Sequence, residues 1–165
     1  HSDTWDTYFG GFKYTHGTPF RRAIEENLID PKKYVILGLR GGLYDPDDLK
    51  WAIEQGITII TTDKFYEIGM AESIKIIKDT IGDTPTYFTF DIDGIDPTYA
   101  PGTGTPEVGG INVHEAQLII RDLKDLNFIG ADVVEVSPPF DVNNMTSLVG
   151  ATIAFEILCT MTKTN

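Results

Sequence analysis

The sequence is poor in cysteine and in positive charge. Its 165 residues include one cysteine, Cys159, three histidines, and 13 Lys and Arg against 25 Asp and Glu, for a formal net charge of −12. A lone cysteine excludes an intramolecular disulfide and a cysteine-based zinc site. It fits a reducing compartment, and the expected location is cytoplasmic. The shortage of clustered Lys and Arg excludes a nucleic-acid partner held by its phosphates. No apolar run reaches the roughly 18 residues of a membrane-spanning helix, so no membrane partner is expected, and no charged-then-apolar leader opens the chain. The acidic excess suits solubility and is compatible with a cationic ligand or divalent metals.

What is present is an ordinary globular composition, 41% hydrophobic and 11% aromatic. The length suits one domain over residues 1–165, since domains commonly run about 100–150 residues. Residues 1–19 are rich in Gly, Thr and aromatics and lack a period, which predicts an ordered loop. Helical spacing with Pro19 in the first turn predicts a helix over 20–28, with Phe20, Ala23, Ile24 and Leu28 apolar and Arg21 and Arg22 on its solvent face. The run Tyr34–Leu39 predicts a strand buried on both faces, and Ile57–Thr61 a second, dense in β-branched residues. Asp45–Asp48 begins a helix that Gly56 stops, and Met70–Ile81 is a third, with Gly82 behind it. Thr86–Ile92 is the third strand, followed by a long Gly/Pro loop from Gly94 to Gly110. Asn112 and Glu115 have capping-box spacing for a helix to Leu126. Phe128–Val136 is the fourth strand, and Ser147–Met161 the last helix, in which Cys159 is expected to be a small buried residue. Strands alternating with amphipathic helices predict an α/β fold with three layers, α/β/α, around a mostly parallel sheet.

Ligands of such sheets bind beyond the carboxyl ends of the strands. The third strand ends Phe90-Asp91-Ile92-Asp93-Gly94. On an extended strand Asp91 and Asp93 project to one side, about 6.6 Å apart in rise. Paired carboxylates repel unless a cation lies between them, and hard divalent metals suit their oxygens. The competing reading is an Asx-turn that caps the next loop. His1 and Asp3 form a second i, i+2 pair of metal-ligating types. His16, in a Gly-flanked loop, is either a proton-transfer group or a solvated loop residue. Glu135, between valines inside the fourth strand, is costly to bury unpaired and should meet a cation. Trp5, Tyr8 and Phe9 are either pocket wall or core. Gly102-x-Gly104 lacks the closing glycine of a dinucleotide fingerprint, and His114 is expected on the surface.

The segment Phe90-Asp91-Ile92-Asp93-Gly94-Ile95-Asp96-Pro97, continuing through Ala100-Pro101-Gly102-Thr103-Gly104-Thr105-Pro106-Glu107, resembles the signature of the ureohydrolases, the arginase and agmatinase family. His1-Ser2-Asp3-Thr4, His16-Gly17-Thr18-Pro19 and Glu135-Val136-Ser137-Pro138 resemble further segments of that family, in the family's order. The runs Pro101–Glu107 and Val134–Asp141 are of the agmatinase type. The resemblance implies an arginase-like fold, two Mn2+ per subunit, a small cationic guanidino substrate and a homo-oligomer, trimer or hexamer. Asp3 and Asp91 would bridge the metals, while His1 and Asp93 would bind one each. Asp93 would also take a proton in catalysis, His16 would shuttle protons, and Glu135 would pair with the guanidinium. The family's two remaining metal ligands lie ahead of the position matched by His1, so an amino-terminally incomplete domain is expected. The implied reaction is hydrolysis of a guanidino compound, agmatine first, to urea and an amine. Alternatives are a guanidino-acid hydrolase, another two-metal hydrolase such as a phosphoesterase, and a catalytically incomplete binding or structural module.

Overall fold

Four short strands carry the fold: β1 (Val35–Leu39), β2 (Thr58–Thr61), β3 (Thr86–Asp91) and β4 (Phe128–Val134). They form two parallel pairs, β1 with β2 and β3 with β4. The structure, a computed structural model, describes residues 2–162. Among the described residues six α-helices alternate with the strands: α1 (Pro19–Glu25), α2 (Lys50–Gln55), α3 (Thr62–Ile68), α4 (Met70–Ile81), α5 (Val113–Asp122) and α6 (Met145–Met161). Among the described residues no helix is long and apolar enough to cross a membrane.

Strand alternation divides the apolar side chains between two cores. Val35 and Leu37 of β1 and Ile60 of β2 join the larger core, with Ile74, Ile77 and Ile81 of α4. Ile36 of β1 and Ile59 of β2 face the smaller one, with Ile24 of α1 and Ala52 of α2. Helices therefore cover both faces of this pair, which gives the three layers expected from the sequence. Gly38, at φ +92°, sits at a bulge between Leu37 and Leu39 and turns Leu39 onto the smaller core. The larger core continues through Phe88 and Phe90 of β3, Val133 of β4, Ile119 and Ile120 of α5, and Ile153 and Ile157 of α6.

Local signals set most boundaries. Gly56 ends α2 in the left-handed region. The α5 start is a full capping box: the Asn112 side chain accepts from the Glu115 amide, and the Glu115 carboxylate accepts from the Asn112 amide, both at 2.8 Å. Replacing Asn112 by Ala leaves the Glu115 amide without its partner. It should lower the unfolding free energy of the full-length protein by about 1 kcal/mol, read as a shift of the urea midpoint.

Several expectations are corrected. Thr62–Ile68 forms an additional helix, α3; it follows β2 directly, capped by the Thr61 hydroxyl, which accepts from the Lys64 amide. The first helix ends at Glu25 and Leu28 is exposed. Arg22 is buried, because its guanidinium pairs with Asp6 at 2.9 Å and with Glu25 at 3.1 Å. Arg21 lies over the Trp51 ring, 4.2 Å from its centroid, and bonds Glu25. Cys159 is exposed: α6 is apolar all round, and it buries Val149, Ile153 and Ile157 while Leu148, Phe155 and Leu158 face outward. His114 is exposed, as expected.

Candidate functional site

A cavity of about 590 Å³ runs between β1 and β3, and both strands line it along their whole length. Asp91, Asp93 and Glu135 meet it at the carboxyl ends of β3 and β4, and Asp3 and His16 meet it from the amino-terminal loop. Five of the six residues singled out from the sequence thus share one cavity. The sixth, His1, lies outside the described residues.

The local geometry of the Asp pair differs from an extended strand. β3 ends at Asp91, and Ile92–Gly94 is a single 3-10 turn. The Asp91 carboxylate accepts from the Asp93 amide at 3.1 Å, so the Asx-type cap and the cavity-facing position coexist. Asp91 is 9% exposed. The Asp93 carboxylate accepts from the Thr105 hydroxyl at 2.8 Å. Thr105 lies on the long loop, which Asp96 closes upon itself. The Asp96 carboxylate accepts from the Thr98, Gly109 and Gly110 amides. A hydrogen bond from the Thr98 side chain, followed by the amide bonds, Thr98 before Gly109 and Gly110, holds its pKa down at about 2.

Glu135 is also moved from its expected setting. It stands one residue past the end of β4 rather than inside it, half-buried, with φ +66°. The long loop fixes this strand end: Ser137 donates its amide to the Gly102 carbonyl at 2.8 Å, and Thr103 bridges Val136. Asp3 has φ +48°. Positive φ outside glycine and asparagine costs of order 1–3 kcal/mol and is retained where the surroundings enforce it. Among the described residues those positions are Asp3, Phe9 and Glu135, and two of the three line the cavity. The phenol of half-buried Tyr34 is pushed up, first by burial and then by the nearby Asp3 charge.

His16 is exposed at the rim, stacked on Phe9 with ring centroids 5.4 Å apart and close to Tyr8. The open choice for the aromatics is resolved: Trp5 and Tyr8 are cavity wall, joined by Tyr44, while Phe9 is exposed. The Tyr8 phenol is pushed up, chiefly by its hydrogen bond with Tyr44. Tyr44, Thr105 and Arg40 also line the cavity, and no sequence motif marks them as site residues. The available signal was slight: each sits in a Gly-rich or Pro-containing loop near a strand's carboxyl end.

The donor chemistry suits a hard divalent cation, because Asp3, Asp91 and Asp93 offer carboxylate oxygens to one cavity. Among the described residues no three His, Cys, Asp or Glu groups converge closely enough to hold an ion by themselves. The described carboxylates therefore fit Mn2+ in kind but do not hold it by themselves.

These features define an α/β protein with an acidic site at the carboxyl ends of parallel strands. Residues 1–160 match the arginase family, and the chain belongs to it. It is 55% identical over 159 residues to a guanidinopropionase of Pseudomonas aeruginosa, covering 96% of this chain and 50% of that protein. It is 43% identical over 161 residues to the mitochondrial agmatinase of Gallus gallus, covering 98% and 47%. The solved proclavaminate amidinohydrolase of Streptomyces clavuligerus superposes with a TM-score of 0.91 at 42% identity, covering 98% of this chain and 53% of that one. The chain spans about half the length of these relatives.

Proposed function

We propose that the full-length protein hydrolyses the guanidino group of a small guanidino compound, consuming one water and releasing urea and an amine. The observation that carries this reading is the gathering of Asp3, Asp91, Asp93, His16 and Glu135 on one cavity of an arginase-family chain. His1, Asp3, Asp91 and Asp93 would hold two Mn2+ together with residues outside this sequence. Bound metals of this kind supply a hydroxide at neutral pH. In this reading the Glu135 carboxylate holds the substrate guanidinium by charge-assisted hydrogen bonds. Asp93 receives a proton, and His16, open to solvent at the rim, delivers one to the departing amine nitrogen. A homotrimer or homohexamer belongs to the same proposal.

The agmatinase-type runs favour agmatine as substrate. The 55% identity to a guanidinopropionase supports a guanidino acid instead. Urea release by the full-length protein with added Mn2+ from agmatine, guanidinobutyrate, guanidinopropionate, arginine and guanidine decides between them. Urea from at least one is expected. Urea from none overturns the reading, as does release of phosphate from phosphate esters in place of urea.

A further inference from the structure

The Arg40 side chain follows directly on β1 and enters the cavity wall, yet the hydrogen bonds of its guanidinium run to main-chain carbonyls. Nη2 donates to Asp93 O at 2.7 Å and to Glu107 O; Nη1 donates to Gly38 O at 3.2 Å and Gly94 O at 3.5 Å; Nε donates to Val108 O at 3.1 Å. One planar fork thus ties the end of β1 to the Asp93 turn and to the loop that carries Thr105. Two glycines border the fork closely. A Cβ on Gly110 would lie 2.7 Å from Arg40 Nη2, and a Cβ on Gly41 would lie 2.6 Å from the Glu107 carboxylate.

Asp93 is consequently held at two points. Arg40 fixes its carbonyl directly, and through the Glu107 and Val108 carbonyls it fixes the loop from which the Thr105 hydroxyl reaches the Asp93 carboxylate. We infer that Arg40 is the positioning residue of the Asp93 carboxylate, setting its readiness for a divalent cation without touching the substrate. The inference rests on the reading of Asp93 as a metal carboxylate. Lysine cannot replace the fork, since its ammonium is a point donor that cannot span three segments.

The test uses the full-length protein and Mn2+ alone, titrated by electron paramagnetic resonance, with Arg40→Lys, Thr105→Val and the double variant. Substitutions that free a metal ligand from its support cost 10–100-fold in affinity, so Arg40→Lys should weaken Mn2+ binding by at least about tenfold. Thr105→Val should do the same to a smaller degree, and the double variant should fall short of the product of the two, because both act on one carboxylate. The KM for any guanidino substrate should stay within about twofold while kcat returns as Mn2+ is raised. Unchanged Mn2+ affinity in Arg40→Lys, with only a lowered Tm, overturns the inference, and so does a fully multiplicative double variant. Should Arg40→Lys not fold, undiminished Mn2+ affinity in Thr105→Val overturns it. Mn2+ titration is independent of turnover. Failure of the wild-type protein to release urea would therefore defeat the proposed function and leave this measurement standing.

Discussion

Replacing Asp91 by Asn in the full-length protein should lower urea release about 10³-fold, equivalent to about 4 kcal/mol of lost transition-state stabilisation. Asn keeps the size of the side chain and an oxygen that can still accept from the Asp93 amide, now at 3.1 Å. The turn over Ile92–Gly94 should therefore persist, and the unfolding midpoint should change little. What disappears is a buried negative charge at the carboxyl end of β3, on the cavity that Asp3 and Asp93 also line. A neutral amide is a far poorer ligand for a hard divalent ion. Metal content per chain, measured beside urea release, should fall with the activity. Wild-type turnover with wild-type metal content would remove Asp91 from the site.

The parts of the fold that were legible in the sequence are those fixed by neighbouring residues. The α5 box needs only Asn112 and Glu115, three positions apart, and the α2 stop needs only Gly56. α4 shows its period in Ile74, Ile77 and Ile81, all of them buried. α3 was not legible because Thr62–Ile68 follows β2 with no turn residue between them, and β-branched Thr61 serves as both strand end and cap. The burial of Arg22 depends on Asp6, sixteen positions away, which helical spacing cannot reveal. In α6 apolar residues occur all round, so no pattern indicates which side faces outward, and the exposure of Cys159 has no signal in the sequence.

The site divides in the same way. That Asp91, Asp93 and Glu135 meet one cavity was legible because carboxylates stand out at the ends of apolar strands. Its geometry was not, because a hydrogen bond inside the Asp-x-Asp segment ends the strand at Asp91 and invalidates simple alternation. Arg40 was invisible since its acceptors on the Asp93 turn and the long loop lie 53 to 68 positions downstream and are main-chain carbonyls, to which any residue type contributes.

Glu135→Gln should separate recognition from metal binding. The strand end that holds Glu135 is set by main-chain contacts of Val136 and Ser137 with the long loop, so the substitution leaves the backbone and its positive φ in place. Among the described residues no hydrogen bond or ion pair is shown for its carboxylate, which lines the cavity half-buried. A guanidinium delivered there meets a fixed anion in a partly desolvated setting. Hydrogen bonds to charged groups contribute about 1.5–3 kcal/mol, so kcat/KM for guanidino substrates should fall roughly 10–100-fold, mainly through KM. Metal content should stay at the wild-type level, in contrast to Asp91→Asn, because none of the carboxylates assigned to the metals has been altered. Steady-state kinetics with guanidino substrates and metal analysis on the same preparation check both halves. Unchanged kinetics would sink the guanidinium role, and a loss of metal would reassign Glu135 to the metal centre.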